Sequence, residues 1–283
     1  MNTRTFRALL ALAGLLPLSH SALAAEAFDN CTGFIDSIPT NISSQGTWCL
    51  RKDLSTAMTS GDAIAVNTAN VTIDCNGYKI GGLAAGDGTQ AVGINVLDKP
   101  NAVVRNCNIR GFLIGAKVGE GAPLVEDNRF EGNTSIGIQV SGAGGVVRRN
   151  LVLSTGGSTQ TGDVLGIETS LDTDVIDNTI DTVAPRAGSN GSGFGIRANG
   201  ATGASITGNR IRNVLSDGSG ESHGIAGEDI SRLIVTDNQV IGVGDGIAIS
   251  CDDTASTAKD NTIAAFATGL SGCDDDGGNV LGN

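Results

Sequence analysis

The sequence predicts an all-β protein, a parallel solenoid of about nine coils with a cap at its N-terminal end. Two repeated motifs and the composition predict it. The first motif is a turn: an apolar residue, two variable positions, Asn, one variable position and a second apolar residue. It runs from Val125 to Phe130 around Asn128, returns around Asn150, Asn178, Asn209 and Asn238, and fades at Asn261 and Asn279. Cys75 and Cys107 take the Asn position in two earlier copies. The second motif is a Gly followed by alternating residues, at Gly93, Gly115, Gly137, Gly166, Gly195, Gly224, Gly246 and Gly269. The shortest well-formed coils are 21 to 23 residues long, a period that marks stacked repeats. The 42 glycines and 3% aromatic content fit tight turns around a narrow aliphatic core, and the periodic apolar positions exclude a disordered chain.

The chain opens with Arg4 and Arg7, an apolar run from Ala8 to Leu18, and the small-residue end Ala22-Leu23-Ala24. That order is a secretory signal peptide, assigned to residues 1–25. No other apolar stretch is long enough to span a bilayer, so the mature chain reads as exported, secreted or periplasmic. Loss of the two arginines lowers the formal charge by two, from −12 to −14. Such a surface repels nucleic acid and acidic lipid. Six cysteines in an exported chain suggest disulfides. Cys75 and Cys107 share a slot one coil apart, about 4.8 Å between backbones and within bridging range. Cys251 and Cys273 are likewise one coil apart, which leaves Cys31 with Cys49.

Residues 26–64 precede the repeat and hold the single Trp48. They read as the cap that a solenoid needs over the open end of its core, with a short helical pattern from Leu50 to Met58. Asp62 to Val66 and Val71 to Ile73 alternate like first strands. The Gly61-Asp62-Ala63-Ile64 start, the segment Val71 to Gly77 and the recurring Asn turns resemble the right-handed parallel β-helix superfamily that includes pectate lyases, and also exported bacterial β-helix proteins without an assigned activity. The resemblance covers roughly residues 50–283 and implies a right-handed β-helix over 65–283. In that fold Ile109, Phe130, Val152, Ile180, Ile211, Val240 and Ile263 stack inward, as do Val104, Val125, Val147, Val175, Ile206 and Val235. The Asn position suits a left-handed turn residue, and stacked Asn side chains can bond along the axis.

Three consecutive coils carry insertions between the Asn turn and the next Gly, at roughly 153–165, 181–194 and 212–223. Insertions on one face of a solenoid mark a binding face or are tolerated surface loops. The outward position of the following strand reads Asn95, Lys117, Gln139, Glu168, Arg197, Ala226 and Ala248. The resemblance implies that this file floors a substrate groove, with the three long loops as one wall. On chemical grounds Lys117, Glu168, Arg197 and His223 are the catalytic candidates and Asn95, Gln139, Arg186 and Glu221 the substrate contacts. Elimination on a uronic acid needs a base and a positive group on the carboxylate, roles open to Lys117 and Arg197. A hydrolase needs two carboxylates; Glu168 has Asp163, Glu221 or Glu228 as possible partners. Glu168 and Arg197 also read as a plain surface ion pair.

His223, the one His of the mature chain, ends the file Val92, Ile114, Ile136, Leu165, Phe194. It reads either as an inward or corner residue stacked on Phe194 or as a general acid or base. Ser222 to Gly224 and Cys251 to Asp253 resemble the His and paired-Asp motifs of polygalacturonases in reversed order. That family's other motifs are absent, and its activity is not carried over. Asp252, Asp253, Asp274, Asp275 and Asp276 can hold Ca²⁺ or guard the last strand edge. The functional reading is binding or processing of an envelope or extracellular polysaccharide, a polysaccharide lyase if it is an enzyme. The alternative is a non-enzymatic envelope protein whose rod presents loops to a partner.

Overall fold

The computed structural model describes residue 28 and residues 30–200, 203–253 and 255–282; the expected signal peptide, 1–25, lies outside them. The described chain winds as a right-handed parallel β-helix with three sheets of 11, 10 and 10 strands. Each strand pairs in parallel with its equivalent one coil away, the crossover between them being the rest of the coil. One coil runs through Leu124–Glu126 in the first sheet, turns at Asn128, passes Arg129–Glu131 in the second, and enters Ile136–Ser141 in the third. Nine such coils are complete, from Gly46–Leu50 to Thr268–Ser271, with two extra strands at either end.

The inward files stack in register as the repeat implies. Val125 pairs with Val104 and Val147, and Phe130 with Ile109 and Val152, all fully buried. The third sheet adds Ile94, Ala116, Ile138, Ile167, Ile196, Ile225 and Ile249. Each buried branched side chain contributes about 1.5–3 kcal/mol, and no coil can collect that without a neighbour. The glycines that open the third-sheet strands have ordinary φ; close approach is what requires them. A Cβ on Gly195 would lie 2.5 Å from the Gly224 carbonyl oxygen, and Gly166 meets Gly195 at 2.6 Å in the same way.

Along the corner between the first two sheets, the Asn side chains form a buried amide ladder. Asn128 donates through Nδ2 to Asn150 Oδ1 at 2.9 Å, and the series continues through Asn178, Asn209, Asn238 and Asn261 to Asn279 at 3.0 Å per step. The left-handed residue of this turn is the one before the Asn, not the Asn itself: Asp127, Arg149, Asp177, Gly208 and Asp237 have φ between 52° and 69°. The Asn keeps an ordinary backbone because its amide must point inward to reach the next coil.

Two further expectations about register shift. Asn76 and Gly77, both left-handed, lengthen the turn after Cys75, so Tyr78 rather than Cys75 stands opposite Cys107 beside the second sheet. Gly246 is a left-handed turn residue (φ 75°) that bonds back to Asp245 before the strand begins. Ala248 therefore takes the glycine position opposite Gly224, and the outward position of that coil belongs to Ser250, opposite Ala226.

Of the expected cap, 26–64, residues 30–64 are described and wind as coil at the N-terminal end of the stack. Gly33–Ile35, Thr40–Ile42, Gly46–Leu50 and Leu54–Ser55 already belong to the three sheets. No helix forms over 50–58: Leu54–Ser55 pairs with Ile80–Gly81, since a free strand edge beside it outweighs a weak local preference. Trp48 packs half-buried on the core, beside Gly33, and its indole N–H donates to the Ser44 carbonyl at 3.0 Å. The disulfides are Cys31–Cys49, Cys75–Cys107 and Cys251–Cys273, with Cα separations of 5.8, 4.7 and 5.0 Å.

Candidate functional site

The outer face of the third sheet carries most of the residues singled out by the sequence. Asn95, Lys117, Gln139, Glu168 and Arg197 stand in register on successive strands. Gln139 Nε2 donates to Glu168 Oε2 at 2.6 Å, and Arg197 donates to Glu168 Oε1 at 2.6 Å. The Glu168–Arg197 ion pair is thus real, but it is not a loose surface pair: Glu168 is only 8% exposed. Asn95 turns away to Asp62, at 3.0 Å. Lys117 has no side-chain partner among the described residues. It lies three strands from Arg197, about 14 Å between backbones.

A second outward file runs beside the first. Val92, Ile114, Ile136, Leu165, Phe194 and His223 are in register at the starts of the same strands. Leu165, Phe194 and Ala226 form a small apolar cluster separate from the main core. His223 therefore faces outward rather than into the core, and it stacks on Phe194, ring centroids 5.1 Å apart and planes 9° apart. The Arg197 guanidinium sits 5.0 Å from the Phe194 centroid. The His223 nitrogens face Glu221 Oε2 and Ser250 Oγ, each at 3.3 Å.

The three long loops border this face at the N-terminal ends of its strands. They are tied to one another rather than loose. Ser192 N–H donates to Asp163 Oδ1 at 2.8 Å, Glu221 N–H to Ser192 Oγ at 3.1 Å, and Asn190 N–H to Asp217 Oδ2 at 2.9 Å. Gly162, Gly191 and Gly220 pile up so closely that a Cβ on Gly191 or Gly220 would strike the backbone of the loop before it. The N–H groups of Asn190, then Gly188 and Ser189, hold the Asp217 carboxyl below the usual carboxylate range, with the exposed Arg186 adding to it. The Asp163 carboxylate is engaged in these ties while the Glu221 carboxylate faces His223, and neither is bonded to Glu168. Glu228 lies in register with Asn199, beyond Arg197 along the strand.

A fourth insertion escaped the loop-length reading. Residues 82–91, with a short 3₁₀ turn at Leu83–Ala85, bridge to the first long loop across two intervening coils. Thr159 N–H donates to the Asp87 carbonyl at 3.1 Å and Gln90 Nε2 to Gln160 Oε1 at 2.8 Å. The gap from Gly81 to Val92 is the signal that marks it. Phe194 and Ser250 were also missed as site residues. Phe194 looked inward in an apolar file, and Ser250 was hidden by the register shift at Gly246.

The aspartates at the C-terminal end are not brought together. Asp274–Asp275 is a strand of the first sheet, while Asp252 and Asp253 follow the third-sheet strand Ile247–Cys251. Asp252 accepts from Asp229 N–H, Asp253 from Ala255 N–H and Asp275 from Gly277 N–H. Among the described residues no three His, Cys, Asp or Glu side chains gather as a metal-holding group. A depression of about 530 Å³ lies at the Asn-turn corner and is lined by Asn76, Asn106, Asp127, Arg129 and Arg149 among others. Its arginines are already paired, Arg149 with Asp127 at 2.7 Å and Arg129 with Glu131 at 3.0 Å, so it offers little to a ligand.

No family model matches the chain, and no curated protein matches it. Its fold is shared with bacteriophage tailspike proteins. The Dettilon tailspike aligns with a TM-score of 0.52 at 15% identity, over 87% of this chain and 56% of that one. A double mutant of the E. coli bacteriophage HK620 tailspike gives 0.50 at 12% identity, over 88% and 58%. The HK620 tailspike in complex with a pentasaccharide gives 0.47 at 13% identity, over 92% and 57%. The chain spans little more than half the length of these tailspikes.

Proposed function

We propose that the protein binds an extended polysaccharide along the outer face of the third sheet. One observation carries this reading: the bonded row Gln139–Glu168–Arg197 runs beside the stacked pair Phe194–His223, and the three cross-tied loops border both. A sugar chain presents hydroxyls and flat C–H faces in alternation. The polar row complements the hydroxyls, the largely covered Phe194–His223 stack backs it with an apolar strip for the C–H faces, and the long axis of the face suits a polymer rather than a small molecule. Lys117 and Arg197 supply local positive charge on an acidic protein, which extends the range to uronic acid residues. Arg197 is engaged by Glu168 and distant from Lys117, so the arrangement supports binding ahead of uronate elimination. Three disulfides fit an extracellular or periplasmic setting, and no helix among the described residues is long and apolar enough to cross a membrane.

The test is titration calorimetry against neutral and uronate-containing polysaccharides, after an array screen. Lys117→Ala and Phe194→Ala should each weaken binding about tenfold, near 1.4 kcal/mol. Arg197→Ala alone is a poor probe because it strands the buried Glu168. The double change Glu168→Gln with Arg197→Gln removes the charge without leaving an orphan. Unchanged affinity in Phe194→Ala and in this double variant would overturn the proposed face.

A further inference from the structure

The outer face holds a Ser–His–Glu arrangement of which the binding reading uses only the stacked His223 ring. His223 Nε2 lies 3.3 Å from Glu221 Oε2, and His223 Nδ1 lies 3.3 Å from Ser250 Oγ. The carboxylate holds the proton on the nitrogen facing it, which leaves the other nitrogen as an acceptor for the serine hydroxyl. A flipped ring would turn Cδ2 and Cε1 toward these two partners, so the two contacts favour this ring orientation. The imidazole is fixed by stacking on Phe194, and its side chain is 12% exposed. Glu221 is placed by the loops, its N–H on Ser192 Oγ and its carbonyl accepting from Gly193 N–H at 2.9 Å. Ser250 is partly exposed, next in the outward file after Ala226. A cavity of about 180 Å³ opens on the Glu221 side, lined also by Ser222, Asp245, Gly246, Ile247 and Ala267 among others.

We infer that Ser250, His223 and Glu221 form an acyl-ester hydrolase site for O-acyl groups carried by the bound polysaccharide. The substrate class rests on the binding reading; the nucleophile does not. A base within reach of a hydroxyl, itself oriented by a carboxylate, is the arrangement that activates serine, and such bonds are often long before substrate enters. Ser250 Oγ attacks the ester carbonyl carbon while His223 takes its proton. His223 then delivers that proton to the departing sugar oxygen as the ester C–O bond breaks. Water, deprotonated by His223, attacks the acyl-serine, and the released carboxylic acid and free serine complete the balance. A pendant ester reaches a serine on an open face. Cleavage of the glycosidic bond needs two carboxylates flanking it, and Glu168, the carboxylate of the central row, is bonded on both sides.

The full chain should be treated with a fluorophosphonate probe and mapped by mass spectrometry, then assayed with p-nitrophenyl acetate and with an O-acetylated polysaccharide. Ser250 should be labelled in the native protein and unlabelled in Ser250→Ala. In His223→Ala, with its fold checked by circular dichroism, labelling should slow by about a hundredfold or more. Glu221→Gln, a change in a positioning residue, should lower kcat with KM held, and leave the thermal midpoint in place. Labelling that is absent, or equally fast in His223→Ala, overturns the inference. Labelling and p-nitrophenyl acetate hydrolysis need no polysaccharide, so Ser250 reactivity in a protein that binds no polysaccharide supports the nucleophile and overturns the binding reading and the substrate class.

Discussion

Asn178 shows how much one side chain carries in this stack. Its Oδ1 accepts both the N–H and the side-chain amide of Asn150, at 2.9 and 3.0 Å, and its Nδ2 donates to Val147 O and Asn209 Oδ1. All of these groups are buried, so truncation leaves donors and acceptors without water or partner. Asn178→Ala should cost roughly 3 kcal/mol or more, from a desolvation penalty of about 1–3 kcal/mol for each orphaned group, read from the urea midpoint. Two residues on, Ile180 is fully buried while Thr179 is partly exposed, opposite Leu151 and Arg210. Ile180→Asp should destabilise by several kcal/mol or prevent folding. Thr179→Asp should stay within about 0.5 kcal/mol. Equal effects at the two positions would contradict the observed register.

At the scale of elements, the long loops act as an extension of the third sheet. One tie between the second and third of them is Asp217, whose carboxyl is held low by main-chain N–H groups. A carboxylate depressed in the folded state stabilises it above the unfolded value, about 3.9, and that contribution is lost as pH falls through the lower folded value. Exchange protection of the Asn190 amide should therefore drop below about pH 4 in the native protein and lose that pH dependence in Asp217→Asn. The strand glycines set a harder limit. Gly195→Ala places a methyl against a backbone carbonyl that cannot rotate away, and should cost about 1–3 kcal/mol in an unfolding titration.

For the molecule as a whole, stability is local and additive along the axis. Coils at the ends have a neighbour on one side only, and the C-terminal strands Asp274–Asp275 and Val280–Gly282 are exposed sheet edges. The Cys251–Cys273 bridge ties the last coils together. Replacing both cysteines by Ser should fray residues 257–282 ahead of global unfolding, with a loss of about 3 kcal/mol for a loop of this length. Hydrogen exchange should show the loss confined to that end, while protection around Ile167 and Ile196 is kept.

The repeat determined the class of fold, the coil count, the inward files and two of the disulfides, which left Cys31 to pair with Cys49. Each follows from a periodic pattern that stacked coils must satisfy in register, so sequence spacing translates directly into neighbours. The polar row was legible for the same reason. Spacing fails where a turn changes length without changing its residue types. Two extra residues after Cys75 and the turn at Gly246 each moved a register that motif matching placed elsewhere, and Ser250 was lost with the second. Tertiary structure alone decided that the Phe194 file faces outward. A glycine at a close coil contact puts two inward positions in succession, and simple alternation then assigns the wrong side. It also decided which partners His223 and Glu168 meet, because side-chain reach across coils depends on loop ties that no local pattern encodes.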